Sequence, residues 1–323
     1  GTIKGIFVNN GYRKNFSNSS IIYNEGYIND VEAYFINNKI RAIDIMSNRI
    51  KNIKGFFINN SVTGSGGGIC LTTSEHTHKI SGIFINNSAI ISGNDSYYYD
   101  TELGGGAIFN SGAGPYELDA FFLNNYTKGI NARGGAIYNV GSFATVLMDE
   151  YQVNDKLFKA TFIGNYAVSS TSIAQGGAIF NSGMVGSREN LISNILDIDF
   201  LANHVNSDSG AAQGGAIYNS GHIMRQDPKS NNISGGIINS KFYNNYAISN
   251  TGIAQGGAIY TTSNLHIGAD NGYSIFSGNY IQQGDKKDNQ AIFMGYGNPN
   301  LYITAKNNGV MIINDKISGL ALN

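Results

Sequence analysis

The sequence is poor in the residues that define several large protein classes. Its 323 residues include no tryptophan and one cysteine, so an intramolecular disulfide and a small disulfide-stapled domain are excluded. Charged residues make up 13% against a usual share of about 25%, and the net charge is −1. Without a basic field, no nucleic-acid partner is expected. No apolar run approaches the roughly 18 residues of a transmembrane segment, so none is expected in this chain.

Glycine is abundant instead, at 42 residues, and much of it lies in one repeated phrase. We call this phrase the Gly-Gly-Ala-Ile motif; a looser copy stands at Gly67-Gly68-Ile69-Cys70. In the five full copies, which start 29 to 42 residues apart, the two glycines and the isoleucine are Gly105, Gly106 and Ile108; Gly134, Gly135 and Ile137; Gly176, Gly177 and Ile179; Gly214, Gly215 and Ile217; and Gly256, Gly257 and Ile259.

A second phrase, Phe-x-x-Asn, alternates with the first. Self-similarity at such a period is typical of a stacked repeat architecture, in which each repeat buries its inner face against its neighbours. The alternation therefore predicts a solenoid. The phenylalanines of this second motif are Phe57, Phe84, Phe122, Phe162, Phe200, Phe242 and Phe276.

The pattern within each motif favours strands over helices. In Gly135-Ala136-Ile137-Tyr138-Asn139, residues alternate between two faces, and the 3.6-residue spacing of an amphipathic helix is absent. We predict an all-β protein, a single-stranded right-handed parallel β-helix. Two motifs per unit suggest two coils of about 20 residues each, hence roughly 15–16 coils and a rod of about 75 Å.

One β-helix is expected over residues 1–323. Its less regular N-terminal coils would occupy 1–62, the paired repeats 63–290 and the C-terminal coils 291–323. Neither end shows a polar cap, which predicts open sheet edges.

The repeated residue types have structural roles in this fold. A glycine pair permits positive φ and close approach of neighbouring coils. Asparagine after a strand suits a turn, and asparagines at equivalent positions of successive coils could form hydrogen-bonded ladders. Phenylalanine of Phe-x-x-Asn would point inward and fill the core with stacked rings. Cys70 replaces an aromatic residue, so a packed small hydrophobe is favoured over a reactive thiol.

Candidate chemistry is sparse, and no catalytic residue, cofactor or metal site is predicted. Asp197 and Asp199 would share a strand face, as carboxylates of a glycan-cleaving enzyme must, but solvated outer-face acids are favoured. His76 and His78 could form a metal clip, but two exposed loop histidines are favoured because no third ligand is evident.

Variable insertions on a regular rod often carry its binding function. They suit contact with a protein or glycan of a host or a neighbouring cell, and the tyrosines of one insertion, Tyr97-Tyr98-Tyr99, offer contact area at low entropic cost. A strand that buries these tyrosines is an equal alternative. The insertions lie at 94–101, 141–152, 184–190 and 222–232.

The alternation of Gly-Gly-Ala-Ile and Phe-x-x-Asn resembles the passenger domains of the polymorphic outer membrane protein family. The closing stretch Leu301-Tyr302-Ile303-Thr304-Ala305 is similar to stretches of those passengers, and the resemblance covers roughly residues 57–320. It implies an autotransporter passenger of a Gram-negative bacterium, exported across the outer membrane and displayed on the cell surface or released. It also implies a role in adhesion.

Three functional hypotheses follow. The first is a non-enzymatic, adhesin-like β-helix that binds cells or other surfaces through loops on a rigid rod. The second is a self-assembling structural subunit, a homo-oligomer or fibre, which the low charge and uncapped ends favour. The third is a polysaccharide-cleaving β-helix enzyme, for which a reducing-sugar assay discriminates.

Overall fold

The computed structural model describes residues 1–11, 20–90, 104–143, 158–185, 194–226 and 233–319. Within these ranges every secondary-structure element is a strand, and the strands of successive coils pair in parallel. The expected fold class, an all-β parallel β-helix, is confirmed. The right-handed winding stays a prediction.

Three long sheets form the helix, and we name them sheets A, B and C; sheets A and B run its whole length, and sheet C begins at Ser61. Sheet A contains Thr2–Val8, Ile28–Ile36, Ile50–Ile58, Lys79–Ile85, Glu117–Leu123, Phe158–Ile163, Asn194–Leu196, Asp199–Leu201, Met224–Gln226, Ile233–Ile238, Lys241–Tyr243, Leu265–Asp270, Tyr273–Ser277, Leu301–Lys306 and Val310–Ile313. Sheet B contains Ser20–Asn24, Arg41–Ile45, Ile69–Leu71, Ile108–Asn110, Ile137–Asn139, Ile179–Asn181, Ile217–Asn219, Ile259–Thr261, Ile292–Met294 and Ile317–Ser318. Sheet C contains Ser61–Thr63, Ser88–Ile90, Tyr126–Lys128, Tyr166–Ser169, His204–Ser207, Tyr246–Ser249, Tyr280–Gln283 and Lys286–Asn289.

Two short sheets accompany the three long ones. One is formed by Ala132–Arg133, Ala174–Gln175, Ala212–Gln213 and Ala254–Gln255, and the other by Ser142–Phe143 with Met184–Val185.

Two strands of the long sheets pair antiparallel with their neighbours, unlike the other described strands. They are Met224–Gln226 in sheet A and Lys286–Asn289 in sheet C.

The number of coils differs from the expectation. Phe122 pairs directly with Phe162, and Ile137 with Ile179, so each motif stacks on the next copy of itself. The two motifs therefore lie on different sheets of the same coil. The length of a coil varies from 22 to 42 residues along the chain. Sheets A and B each run through ten levels, which gives a rod of about 45 Å at ~4.8 Å per coil. The prediction of 15–16 coils and a longer rod is wrong because a repeat period does not say whether two motifs stack or lie side by side.

A column of phenylalanine rings forms the centre of the core, as the sequence predicted. Neighbouring ring centroids lie 4.5 to 5.1 Å apart in stacked geometry. Offset stacking of aromatic rings adds favourable energy to the burial of their area. The column consists of Phe7, Phe35, Phe57, Phe84, Phe122, Phe162, Phe200, Phe242 and Phe276.

The glycines of the Gly-Gly-Ala-Ile motif have two separate roles. The first glycine of each full copy has a left-handed backbone, with φ of 59° at Gly134 and 71° at Gly105. The second glycine has no room for a side chain, because a Cβ at Gly135 would collide with the carbonyl oxygen of Gly177 on the next coil. The isoleucine that follows, such as Ile137, is buried in the core. Glycine is thus required once for conformation and once for close approach.

The asparagines of Phe-x-x-Asn form a buried ladder along the whole rod. Asn165 shows the pattern: its Oδ1 accepts from the backbone N and Nδ2 of Asn125, and its Nδ2 donates to the Phe122 carbonyl and to Asn203 Oδ1. All four hydrogen-bonding positions of the amide are filled. The ladder consists of Asn10, Asn38, Asn60, Asn87, Asn125, Asn165, Asn203, Asn245, Asn279 and Asp315.

The last residue of this ladder is an acid, and its place fits the direction of the hydrogen bonds. Asp315 accepts from the backbone N of Gly278 and Asn279 and from Asn279 Nδ2. A carboxylate only accepts, so it completes a chain of amides that all donate in the same direction.

A second, shorter ladder follows the strands of sheet B. It runs through Asn110, Asn139, Asn181, Asn219 and Thr261, with amide contacts of 2.7 to 3.1 Å. It starts at Asn110 because the preceding coil has Leu71 at that level, and Asn110 Oδ1 is buried without a hydrogen-bond partner.

One sheet edge is capped, contrary to the expectation of open edges. The strand Lys286–Asn289 pairs antiparallel with Tyr280–Gln283, the outermost parallel strand of sheet C, and is exposed along its length. Its charged residues Lys286, Lys287 and Asp288 disfavour pairing with another chain at this edge.

Candidate binding surface

The two carboxylates that the sequence singled out do not form a pair on one strand. Asp197 has a left-handed backbone, with φ of 55°, and separates the strands Asn194–Leu196 and Asp199–Leu201. Asp199 lies in the strand and pairs with Lys241 of the next coil, with 3.4 Å between Oδ1 and Nζ. The in–out alternation continues across the break, with Asp197 exposed, Ile198 buried and Asp199 half-buried, so both acids lie on the outer side of the coil, as the favoured interpretation expected.

The two histidines of the possible metal clip face different partners. They lie in a turn, and both are half-buried rather than exposed, which corrects the expectation of exposed histidines. His76 stacks on Tyr116, and its Nδ1 lies 2.8 Å from the Gly114 carbonyl oxygen; burial lowers its pKa. His78 Nδ1 lies 3.3 Å from Asn52 Oδ1. Among the described residues, no group of three or more His, Cys, Asp or Glu side chains could hold a metal ion.

Cys70 is a packed core residue. It is 4% exposed and contacts a cluster with Phe109, Tyr138 and Phe180. Burial raises the pKa of its thiol to about 12. The thiolate is the reactive form, so this environment gives Cys70 low reactivity.

The insertions expected to bind partners fall largely outside the described residues. Tyr97-Tyr98-Tyr99 and the rest of 94–101 lie there, as do 144–152 and 186–190. In the insertion 222–232 the strand Met224–Gln226 is described, and 227–232 lie outside.

A column of half-buried aromatic rings on the outer face of sheet C is the clearest candidate binding surface, and we call it the tyrosine column. Ring centroids of adjacent members lie 4.6 to 5.1 Å apart with planes within 11° of parallel. Buried alanines such as Ala167 and Ala247 alternate with the rings and place them on the outer side. The tyrosine column consists of Tyr126, Tyr166, His204, Tyr246 and Tyr280.

The position of these rings in the sequence could have revealed the column. Each member directly follows a ladder asparagine, as in Asn165-Tyr166 and Asn245-Tyr246. The two repeated motifs are defined by inward residues, so they did not indicate this outward column.

The tyrosine column is electrically neutral over most of its length. Burial raises the pKa of Tyr166, Tyr246 and Tyr280, so these phenols keep their protons at neutral pH, and burial lowers the pKa of His204. At one end, Lys287 Nζ lies 3.6 Å from the centroid of the Tyr280 ring. Because the ring faces contact one another, the exposed parts are ring edges, which offer polar and apolar contacts from fixed positions.

A similar aromatic column on the outer face of sheet B is covered. Burial raises the pKa of Tyr218 and of Tyr260, while side-chain interactions with Gln175 and Gln213, respectively, act to lower it. These glutamines form their own ladder, with 2.8 Å between Gln175 Nε2 and Gln213 Oε1. The molecule therefore has a covered aromatic column on sheet B and, on sheet C, the tyrosine column, whose ring edges are exposed.

The fold and these surfaces define the chain as a parallel β-helix with an uncovered aromatic column. In comparisons with protein-family models, curated proteins and solved structures, none matches the chain. Within the parts that the structure describes, no helix could cross a lipid bilayer.

Proposed function

We propose that this chain is a non-enzymatic, adhesin-like β-helix, displayed on the surface of a bacterium or released from it. It binds a neutral glycan of a host or neighbouring cell along the tyrosine column. The observation that carries the proposal is the stack of half-buried rings from Tyr126 to Tyr280, because aromatic rings with exposed edges at regular spacing are a surface of the kind used in recognition.

The rigidity of the column supports binding of an extended ligand. Each ring between the two ends lies between two others, so ordering it on binding loses little side-chain entropy. Five rings at four intervals of about 4.8 Å span roughly 19 Å along the rod, a length suited to several units of a linear polymer. The neutral phenols favour hydrogen bonding to hydroxyl groups over attraction of a charged ligand.

The column can be tested by binding of the purified chain to an array of neutral glycans and to intact cells. Tyr166→Ser with Tyr246→Ser should weaken binding at least tenfold by removing two rings. The matched control is Tyr218→Phe, which changes a tyrosine of the covered column. Binding that is unchanged in the double variant, or absent from the unaltered chain, contradicts the proposal; binding to a purified protein but to no glycan selects the protein alternative.

Surface display is tested separately. Antibodies against the purified chain should label intact cells of the source bacterium and lose the signal after mild external proteolysis. Labelling that requires permeabilised cells contradicts this part of the proposal.

A second candidate function, self-assembly, is favoured by a different surface on sheet A.

A further inference from the structure

The outer face of sheet A is apolar where alternation would make it polar. In coils 2 to 5, the residues on both sides of each core phenylalanine are hydrophobic, and we call these eight residues the outer apolar face. Tyr34 is 46% exposed and Phe56 is 37% exposed, and the others are half-buried. The outer apolar face consists of Tyr34 and Ile36, Phe56 and Ile58, Ile83 and Ile85, and Phe121 and Leu123, which are in register from coil to coil.

The fold does not require apolar residues at these outward positions of sheet A, as later coils show. At the level of Tyr34 and Phe56, coils 7 and 8 have Asp199 and Lys241, which form an ion pair. Exposed apolar clusters that the fold does not require commonly mark interaction sites.

A column of exposed charges lies beside the outer apolar face, two residues earlier in each strand. In coils 2 to 6 it reads Glu32, Lys54, Ser81, Asp119 and Lys159, with adjacent members in register. Lys4 of coil 1 continues the column and pairs with Glu32 of the same chain at 2.9 Å. Between this charged column and the apolar residues runs a groove of about 450 Å³.

The charged column is complementary in sign to a second copy of itself that runs in the opposite direction. Read from coil 6 to coil 2, the column becomes positive, negative, neutral, positive, negative. Placed against the forward order, Glu32 meets Lys159, Lys54 meets Asp119, and Ser81 meets Ser81. Every charged position of this column in coils 2 to 6 then faces the opposite sign, which favours one arrangement of two identical surfaces. Lys79, two residues before Ser81, faces its own copy at the rim, and each Lys79 pairs with Glu117 of its own chain.

We propose that the outer apolar face binds the same face of a second copy of this chain, with the two rods antiparallel. The two-fold axis runs along the strand direction at coil 4, which is the symmetry that brings each charged column against its reversed copy. An isologous contact of this kind uses one patch twice and closes as a dimer.

The apolar residues match in the same arrangement. Phe56 of one copy lies opposite Phe121 of the other, and Ile58 lies opposite Leu123. Ile83 and Ile85, at the axis, meet their own copies. The aromatic and aliphatic side chains of coils 3 to 5 are thus covered, and the charges lie at the rim.

The dimensions of the face give the area that the dimer buries. Coils 2 to 6 cover about 19 Å along the rod, and the three outward columns cover about 13 Å across it. With side-chain margins, this corresponds to roughly 1,000 Å² buried in total, at the low end of specific interfaces, so the dimer is reversible and depends on concentration. The face lies on a different sheet from the tyrosine column, and either proposal stands without the other.

Charge reversal tests the pairing, read by sedimentation equilibrium over a concentration series. Lys54→Glu alone and Asp119→Lys alone should each weaken the dimer at least tenfold, because each places like charges opposite one another twice. The double variant should restore it. Within one chain, Lys54→Glu meets Glu32 and Asp119→Lys meets Lys159, so effects on the monomer would add in the double variant instead of cancelling.

A symmetric cross-link tests the axis. Ser81→Cys should form a disulfide-linked dimer rapidly under mild oxidation, because the residue faces its own copy. The control Thr161→Cys, on the same sheet face, lies opposite Tyr34 and should not cross-link. Native Cys70 is buried and does not interfere. A monomer at the highest soluble concentration, failure of the double variant to restore the dimer, or preferential cross-linking of the control would each overturn the proposal.

Discussion

Replacing Asn165 by leucine should lower the free energy of unfolding by several kcal/mol. The side chain is fully buried and makes four hydrogen bonds of 2.9 to 3.1 Å. Its loss leaves the backbone N–H and one Nδ2 hydrogen of Asn125 without acceptors, and the Phe122 carbonyl loses a donor. Each buried group left without a partner costs about 1 to 3 kcal/mol, so we expect a loss of about 3 to 5 kcal/mol.

The control is a second asparagine with the opposite environment. Asn206 lies on the outer face of sheet C between Val168 and Ile248, and its Oδ1 is buried without a hydrogen-bond partner. Asn206→Leu should therefore change stability by less than about 1 kcal/mol or increase it, because no hydrogen bond to that oxygen is lost.

Urea unfolding, followed by far-ultraviolet circular dichroism and tyrosine fluorescence, measures both variants. Agreement of the two signals checks that unfolding is cooperative, which long repeat arrays do not guarantee. If Asn165→Leu loses less than about 1 kcal/mol, or no more than Asn206→Leu, the ladder is not the stabilising device that we infer.

A second substitution at position 165 separates the contribution of the accepting groups from that of the donating groups. Asn165→Asp keeps the two acceptor positions, as Asp315 does at the end of the ladder, but turns a carboxylate towards the Phe122 carbonyl and Asn203 Oδ1. This variant should be destabilised at neutral pH and recover part of its stability on acidification, as the new carboxyl group takes up a proton.

Three further predictions follow from single residues. Ala202 has φ of 51° at a position where other coils have asparagine or glycine, so Ala202→Gly should raise stability by about 1 kcal/mol in urea unfolding, and a decrease would refute the strain. His266 is buried between the Gly235 carbonyl and Thr304 Oγ1, and burial lowers its pKa. The unfolded chain then binds a proton near pH 6.5 while the folded chain does not, so the melting temperature should fall below about that pH, and the fall should shrink in His266→Gln. Cys70 should resist a maleimide at pH 8 in the native protein and react fully in urea; labelling without denaturant would contradict its burial.

The sequence by itself determined the parallel β-helix and the inward residues of each coil. The sequence predicted stacked phenylalanine rings and glycines at close approaches of neighbouring coils, and both are present, between Phe122 and Phe162 and between Gly135 and Gly177. Local chemistry sufficed for these features because each copy of a motif carries the same steric and hydrogen-bonding requirements.

Only the tertiary structure decided how many coils there are and which outward residues become neighbours. The connections between motifs vary, and their course determines that both motifs share one coil. Tyr166, His204 and Tyr246 lie 38 and 42 residues apart along the chain, yet their rings are in contact. The strand break at Asp197 likewise arises from its left-handed backbone, which a period-two sequence pattern does not predict.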